Sequence, residues 1–408
     1  MVTSRRVFLG WVVAGFLALV GCEPNRGAAP DLLSQSWPEI EAQARGKTVS
    51  LVMWTGDPPI NRYMESFVIP ELAKRHGVTL RIVPAQGNGI VAQLTTELEA
   101  GKAESAWDMM WINGETFYQL RQIGALFGPF TDKLPNAQYI DFANPFIRYD
   151  FQQEVNGYEC PWGNVQLAIL YDSARVPVPP KNRTELLAWC KEHPGRFTFD
   201  SSFTGMTFLK SLLYDFAGGP QALSGKFDET KYREHSAKLW TYLRELQPHL
   251  WREGKTFPQE VATLHQLLAN GEVDFSMSNN DAEVDNKVGQ GFLPATSRAY
   301  VLDTGTIQNT HYMGIVKRSA NAAAAMVVCN FLISPEAQYE KFKPSVWGDG
   351  TILDFRKLPA EWRGKFENIP ERKLAPKRAE IQPKALMEPA PEYMIRLFED
   401  FRKEIIGG

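Results

Sequence analysis

No stretch of this sequence is long enough to cross a membrane. The longest apolar run, Val7–Val20, has fourteen residues, whereas a spanning helix takes roughly twenty. Asn321–Leu332 is strongly apolar but shorter still, so it reads as a core helix. Cysteine is scarce, four in 408 residues with no CxxC pair, which excludes a disulfide scaffold and a cysteine zinc site. No Lys/Arg block is present and the net charge is only −3, so nothing points to nucleic acid. HExxH, GxSxG and the Walker lysine loop are all missing. No catalytic residue, metal ligand or cofactor is therefore assigned. The six histidines are scattered and no internal repeat is evident. What is there is a globular composition, 44 % hydrophobic and 22 % charged, sufficient for one large or two mid-sized domains.

The first residues carry an address. Arg5 and Arg6 precede the apolar run, and Ser4–Gly10 (SRRVFLG) resembles the twin-arginine export motif, with Gly10 where a lysine is usual. Leu19-Val20-Gly21-Cys22 resembles the bacterial lipobox, in which the cysteine is acylated and becomes the first mature residue. Residues 1–21 then read as a signal peptide and 22–45 as a lipidated N-terminus and leash, polar and Pro/Gly/Ser-bearing. Without Cys22, the remaining Cys160, Cys190 and Cys329 allow one disulfide or three buried free thiols.

Beyond the leash the pattern alternates. Val49–Trp54 predicts a strand, Asn61–His76 a helix that Pro70 kinks or divides, and Thr79–Pro84 a strand. Helix Ile90–Ala100, strand Trp107–Ile112 and helix Glu115–Ile123 follow. Short strands alternating with helices predict right-handed βαβ crossovers and an α/β fold with mostly parallel sheets flanked by helices. Further strands are expected at Val165–Tyr171, Val273–Ser278 and within Arg298–Val316, with helices at Arg183–His193, Thr230–Leu246, Pro258–Ala269 and Glu392–Glu404. Gly87–Ala92 fits G-x-G-x-x-A. The strand before it is second in its unit rather than first, so it reads as a tight strand-to-helix turn.

Ligands of open α/β sheets sit beyond the carboxyl ends of strands. That rule selects Trp54, Thr55, Gly56 and Asp57 after the first strand, and Trp111 and Asn113 after the third. It also selects Trp162 and Asn164 on a proposed first crossover, Ser202 and Thr204 at a helix start, and Asn279, Asn280 and Asp281 on a proposed second crossover. Tyr312, next to His311 and near Asn309 in a strand, joins them. Tryptophan faces attract cations by about 0.5–2 kcal/mol each, and Asp57, Asp281 and Glu283 are carboxylates that could complete a cation site. Tryptophans at strand ends also serve simply to cap a core. Ser201–Gly205 could hold an anion at a helix N-terminus, or be an ordinary N-cap.

The lipobox leader, the strand–Thr55-Gly56-Asp57–helix start, Pro161-Trp162-Gly163-Asn164 leading into LAILYD (Leu167–Asp172), and the helix start SPEAQ (Ser334–Gln338) together resemble an extracytoplasmic solute-binding protein of an ABC importer. The type II, two-crossover arrangement of the YnjB-type group, related to thiamine-, polyamine- and iron-binding proteins, fits best. The absence of an adjacent tyrosine pair, which iron-binding relatives use, disfavours ferric iron. The resemblance implies a two-lobed periplasmic-binding-protein-like fold with the ligand in the cleft, lobe 1 spanning 46–160 plus 281–333 and lobe 2 spanning 161–280 plus 334–408. It implies a non-enzymatic monomer, lipid-anchored in the periplasm or on the outer face of the cytoplasmic membrane. Such a protein would capture a small molecule by hinge closure and pass it to an ABC permease. The ligand leaning is a small organic cation or cationic heterocycle, thiamine- or polyamine-like, with neutral and anionic solutes as alternatives. An exported cofactor-dependent enzyme and a lipoprotein adaptor without a small ligand are the competing classes.

Overall fold

The computed structural model describes residues 31–407; the leader and Cys22 lie outside them. Strand β1 (Thr48–Met53) buries every residue after Thr48. The helix that follows runs Pro58–Tyr63, passes through a π-type turn at Met64–Val68, and continues Ile69–His76. Pro70 cannot donate a backbone hydrogen bond, and the chain absorbs this as a widened turn directly ahead of it rather than as a break. β2 (Thr79–Pro84) and β3 (Met109–Ile112) both pair parallel with β1, on opposite sides. The divided helix supplies the crossover from β1 to β2 and helix Gly87–Glu99 that from β2 to β3, with helix Gly114–Gln122 following β3, so the first half follows the alternation in the sequence.

A two-residue turn joins β4 (Tyr149–Asp150) to β5 (Gln153–Glu154). Both turn residues, Phe151 and Gln152, have positive φ, the geometry that matches a hairpin's twist. β6 (Glu159–Gln166) belongs to the first sheet, yet after Leu167 the chain continues as β7 (Ala168–Asp172) in a second sheet. β8 (Phe275–Ser278) and β9 (Ser297–Tyr300) flank β7, both antiparallel to it. β10 (Thr306–Ile315) returns to the first sheet, antiparallel to β6 and β3, and its first residues pair in parallel with β11 (Ala385–Leu386).

Two large hydrophobic cores result, with smaller clusters beside them. The first gathers β1, the divided helix, and helix Ala322–Leu332, buried from Ala324 onward. The second gathers helices Phe203–Phe216, Glu229–Leu246 and Pro391–Phe401. Sequence spacing identifies strands but not the sheet each one joins, and here the expected boundaries shift. The segment after Ser334, expected in lobe 2, buries Ala337, Trp347, Ile352, Leu358 and Phe366 in the first core. Tyr300 and Leu302, expected in lobe 1, are buried in the second. The chain crosses between sheets at Leu167 and again between β9 and β10, not at Asn279–Asp281: helix Glu283–Gly289 after that turn packs Val284 against Leu170, Leu267 and Leu268. Cys160, Cys190 and Cys329 are free, buried thiols. Among the described residues no helix is long and apolar enough to cross a membrane.

Candidate functional site

Between the two cores, where β1 and β3 end and the middle of β10 passes against helix starts of the second core, lies a cavity of about 330 Å³. Its first wall is aromatic. Trp54 leaves β1, Trp111 lies on β3, His311 on β10, and Trp347 on the loop after helix Pro335–Phe342. The rings of Trp111 and His311 are 5.1 Å apart, and His311 stacks on Trp347 at 5.9 Å with 22° between planes. Trp54 folds back so closely that a Cβ on Gly56 would come within 2.5 Å of its indole. Only glycine permits that.

A buried charge pair stiffens this wall from behind. Lys341 pairs with the Asp349 carboxylate and donates to the Gly350 carbonyl at 2.9 Å. His311 Nε2 lies 3.2 Å from Asp349 Oδ2. Burial alone would raise the Asp349 pKa, but Lys341 and His311 reverse this and hold it below the usual carboxylate range. Gly163 makes room: a Cβ there would stand 2.1 Å from Asp349 Oδ2 and 2.3 Å from His311 Nε2.

The second wall is polar. Helix Phe203–Phe216 presents Ser202, Phe203 and Thr204; the turn after β8 presents Asn279 and Asn280; helix Val261–Ala269 presents Val261 and His265. Asn279 donates its amide to Thr204 Oγ1 at 3.1 Å. His265 Nδ1 is 2.7 Å from Ser276 Oγ, and burial, helped by Lys287, pushes its pKa down to about 3, so it is neutral at physiological pH. The helix N-terminus that could have received an anion already holds one. Asp200 accepts from the Ser202 N–H at 2.9 Å and from the Ser202 hydroxyl, and Ser202 makes no cap bond of its own.

The carboxylates divide into committed and free. Lys287 Nζ lies 2.7 Å from Asp57 Oδ1 and 3.0 Å from Glu283 Oε1. Burial first, and Glu283 second, push the Asp57 pKa up to about 6, with Lys287 opposing. Asp281 pairs with Arg372 and Arg378 and accepts the Gln166 N–H; with two guanidiniums outweighing burial, its pKa is lowered. Glu115 differs: it lines the cavity, its Oε2 is buried, and that oxygen has no hydrogen-bond partner. Desolvation pushes its pKa up to about 7.

Of the residues selected by sequence, Trp54, Gly56, Asp57, Trp111, Asn113, Ser202, Thr204, Asn279 and Asn280 all line this cavity. Five do not. Thr55 uses its carbonyl to accept from Asn61. Trp162 is fully buried in the first core, edge-on behind Trp111 at 5.1 Å. Tyr312 is buried on the opposite face of β10 and donates its hydroxyl to the Ile147 carbonyl. Asn164 and Asp281 line a different cavity of about 500 Å³, across the β6–β10 strands from the first. Strand alternation explains the split: Val165, Asn309 and His311 face one cavity, Asn164, Gln166 and Gln308 the other. Sequence reasoning missed Trp347 and Lys287, held Phe203 only within the Ser201–Gly205 helix start, noted His311 beside Tyr312 without selecting it, and read Glu115 only as a helix start. Parity along β10 was the available signal for His311.

An aromatic wall thus faces a polar one close to where the chain crosses between the two sheets. Residues 68–365 match the bacterial extracellular solute-binding protein family, and the chain belongs to that family. A relative, protein YnjB of Escherichia coli (strain K12), is 37 % identical over 375 residues, covering 91 % of this chain and 94 % of the relative. Among solved structures, the Tp0655 (TpPotD) lipoprotein of Treponema pallidum is similar with TM-score 0.65 at 13 % identity, covering 88 % of this chain and all of that one. The periplasmic binding protein AfuA of Actinobacillus pleuropneumoniae, solved with exogenous fructose-6-phosphate, is similar with TM-score 0.63 at 15 % identity over 88 % and 98 % of the two chains. The mixed α/β architecture is thus that of type II periplasmic binding proteins.

Proposed function

We propose that this protein captures a small organic cation, of the thiamine or polyamine kind, between the indole wall and the Glu115 carboxylate. The cleft closes about the crossing strands, and the bound solute passes to an ABC permease. Acyl chains on Cys22 would keep the receptor beside its transporter, where tethering raises the local concentration of loaded receptor. The observation that carries the ligand class is Glu115. An ionisable carboxyl desolvated in a cleft, with one oxygen unpartnered, gains most from a ligand that brings a positive charge. The surroundings lean the same way: Asp57, Glu115, Glu260, Glu283 and Asp349 line the cavity, and with Lys287 shared by Asp57 and Glu283 and Lys341 paired with Asp349 the balance is still negative. Indole faces at Trp54 and Trp111 add cation–π attraction, stronger when water is excluded.

Native mass spectrometry of freshly purified protein tests this. The expected result is a co-purified cationic solute released on denaturation. A sugar phosphate or other anion in its place would contradict the ligand class. A melting temperature unmoved by any solute of a broad library would contradict the receptor itself, since a ligand at 100 times its Kd stabilises by about 2.7 kcal/mol.

A further inference from the structure

One charged cluster at the cleft is not consumed by the proposed ligand. Lys287 and Glu283 belong to one short helix on the second core, four residues apart, while Asp57 belongs to the first, at the start of the helix after β1. The Lys287 ammonium therefore spans the cleft, 3.0 Å from its own helix's carboxylate and 2.7 Å from the one opposite. All three side chains are under one-tenth exposed. Asp57 also forgoes its local role. An aspartate at a helix N-cap ordinarily accepts from the first turn's N–H groups, but Asp57 makes no side-chain cap bond. Alongside, Asn280 and Asn286 of the second core donate their amides to the Trp347 carbonyl of the first, so the ion pair lies on a seam. His265, the remaining titratable neighbour, is neutral there.

We infer that Lys287 is a built-in closing cation, a latch that draws Asp57 towards Glu283 and lets the two walls meet without ligand, leaving Glu115 to read the ligand's charge. This rests on the reading that the cleft opens and closes. Removing the ammonium alone leaves two carboxylates facing each other across the seam, an uncompensated buried arrangement that favours separation. Removing all three charges together removes the repulsion as well.

Small-angle scattering of the ligand-free protein tests the latch. The wild type is expected near the radius of gyration of a compact chain of this size, about 22 Å. Lys287→Met should shift it upward, and Asp57→Asn/Glu283→Gln/Lys287→Met should bring it back. If Lys287→Met does not fold, as judged by circular dichroism, Lys287→Gln removes the same ammonium while keeping a polar side chain between the two carboxylates, and should also expand the protein. Scattering curves of the folded variants that superimpose on the wild type would overturn the latch, as would a wild type already as expanded as the variants. Calorimetric titration of Lys287→Gln with thiamine and spermidine separates the two readings. Binding retained without any change in scattering defeats the latch alone. Expansion with no binding by either Lys287→Gln or the wild type upholds the latch and defeats the cationic ligand.

Discussion

The two walls of the cleft are built on different principles. The first is made of rings pressed against rings, Trp111, His311 and Trp347, with Trp162 behind them and a buried Lys341–Asp349 pair supporting them. The second is made of helix starts and a turn whose polar groups are mostly tied to each other: Asn279 to Thr204, Ser202 to Asp200, His265 to Ser276. A preformed aromatic wall offers area and cation affinity to whatever arrives. A self-satisfied polar wall offers few open hydrogen-bonding groups. On the function proposed above, recognition falls to the first wall and closure to the charged seam between the two cores.

The sharpest way to break this comparison is within the tryptophans. Trp162→Ala should cost about 3–5 kcal/mol of stability, as expected for a buried aromatic truncated to alanine, read as a lower denaturation midpoint. Trp111→Ala, at the cavity surface, should instead weaken a cationic ligand by roughly tenfold or more, within the cation–π range, read by calorimetry. If the two variants behave alike, the division into support and contact layers fails.

Next comes Glu115. Its pKa in the fold is raised from 4.5 to about 7, so the ligand-free fold keeps this proton over a range where the unfolded chain has lost it. Ligand-free stability from this group therefore declines as pH rises between those values. A cation binds the ionised form, so its affinity should climb from pH 5.5 towards pH 8, with proton release on binding. Glu115→Gln should flatten that dependence and lower affinity at pH 8 by about tenfold, on the order of one pKa unit of charge interaction. The smallest effect is expected on the polar wall: Ser202→Ala should change affinity by less than roughly fivefold, since its hydroxyl already bonds Asp200 and a hydrogen bond is worth about 1 kcal/mol.

Much of this was legible in the residues. Strands at Val49–Trp54 and Thr79–Pro84 and the helix from Phe203 lie where spacing predicts them, within a residue or so, because short apolar runs bounded by Gly, Pro and Asp have few other uses. The rule that ligands sit beyond strand ends found most of the cavity for the same reason. Tyr312, added from outside those strand ends, fails on side-chain parity, which turns His311 to the cavity instead. The rule itself failed at Trp162, which faces the core from a strand whose end lies further on, at Gln166. Trp347 follows no strand, so no strand-end rule reaches it. Glu115 looked like any helix-start carboxylate until its neighbours were known. Asp57 and Glu283 looked free until Lys287 was placed between them.

The central claim, that the cleft reads positive charge at Glu115 against an indole wall, is tested most directly by titrating the purified protein with thiamine, spermidine and fructose-6-phosphate at pH 5.5 and pH 8. The account predicts that at least one cation binds, more tightly at the higher pH, and that the sugar phosphate does not. Tight binding of the sugar phosphate with neither cation bound would contradict it.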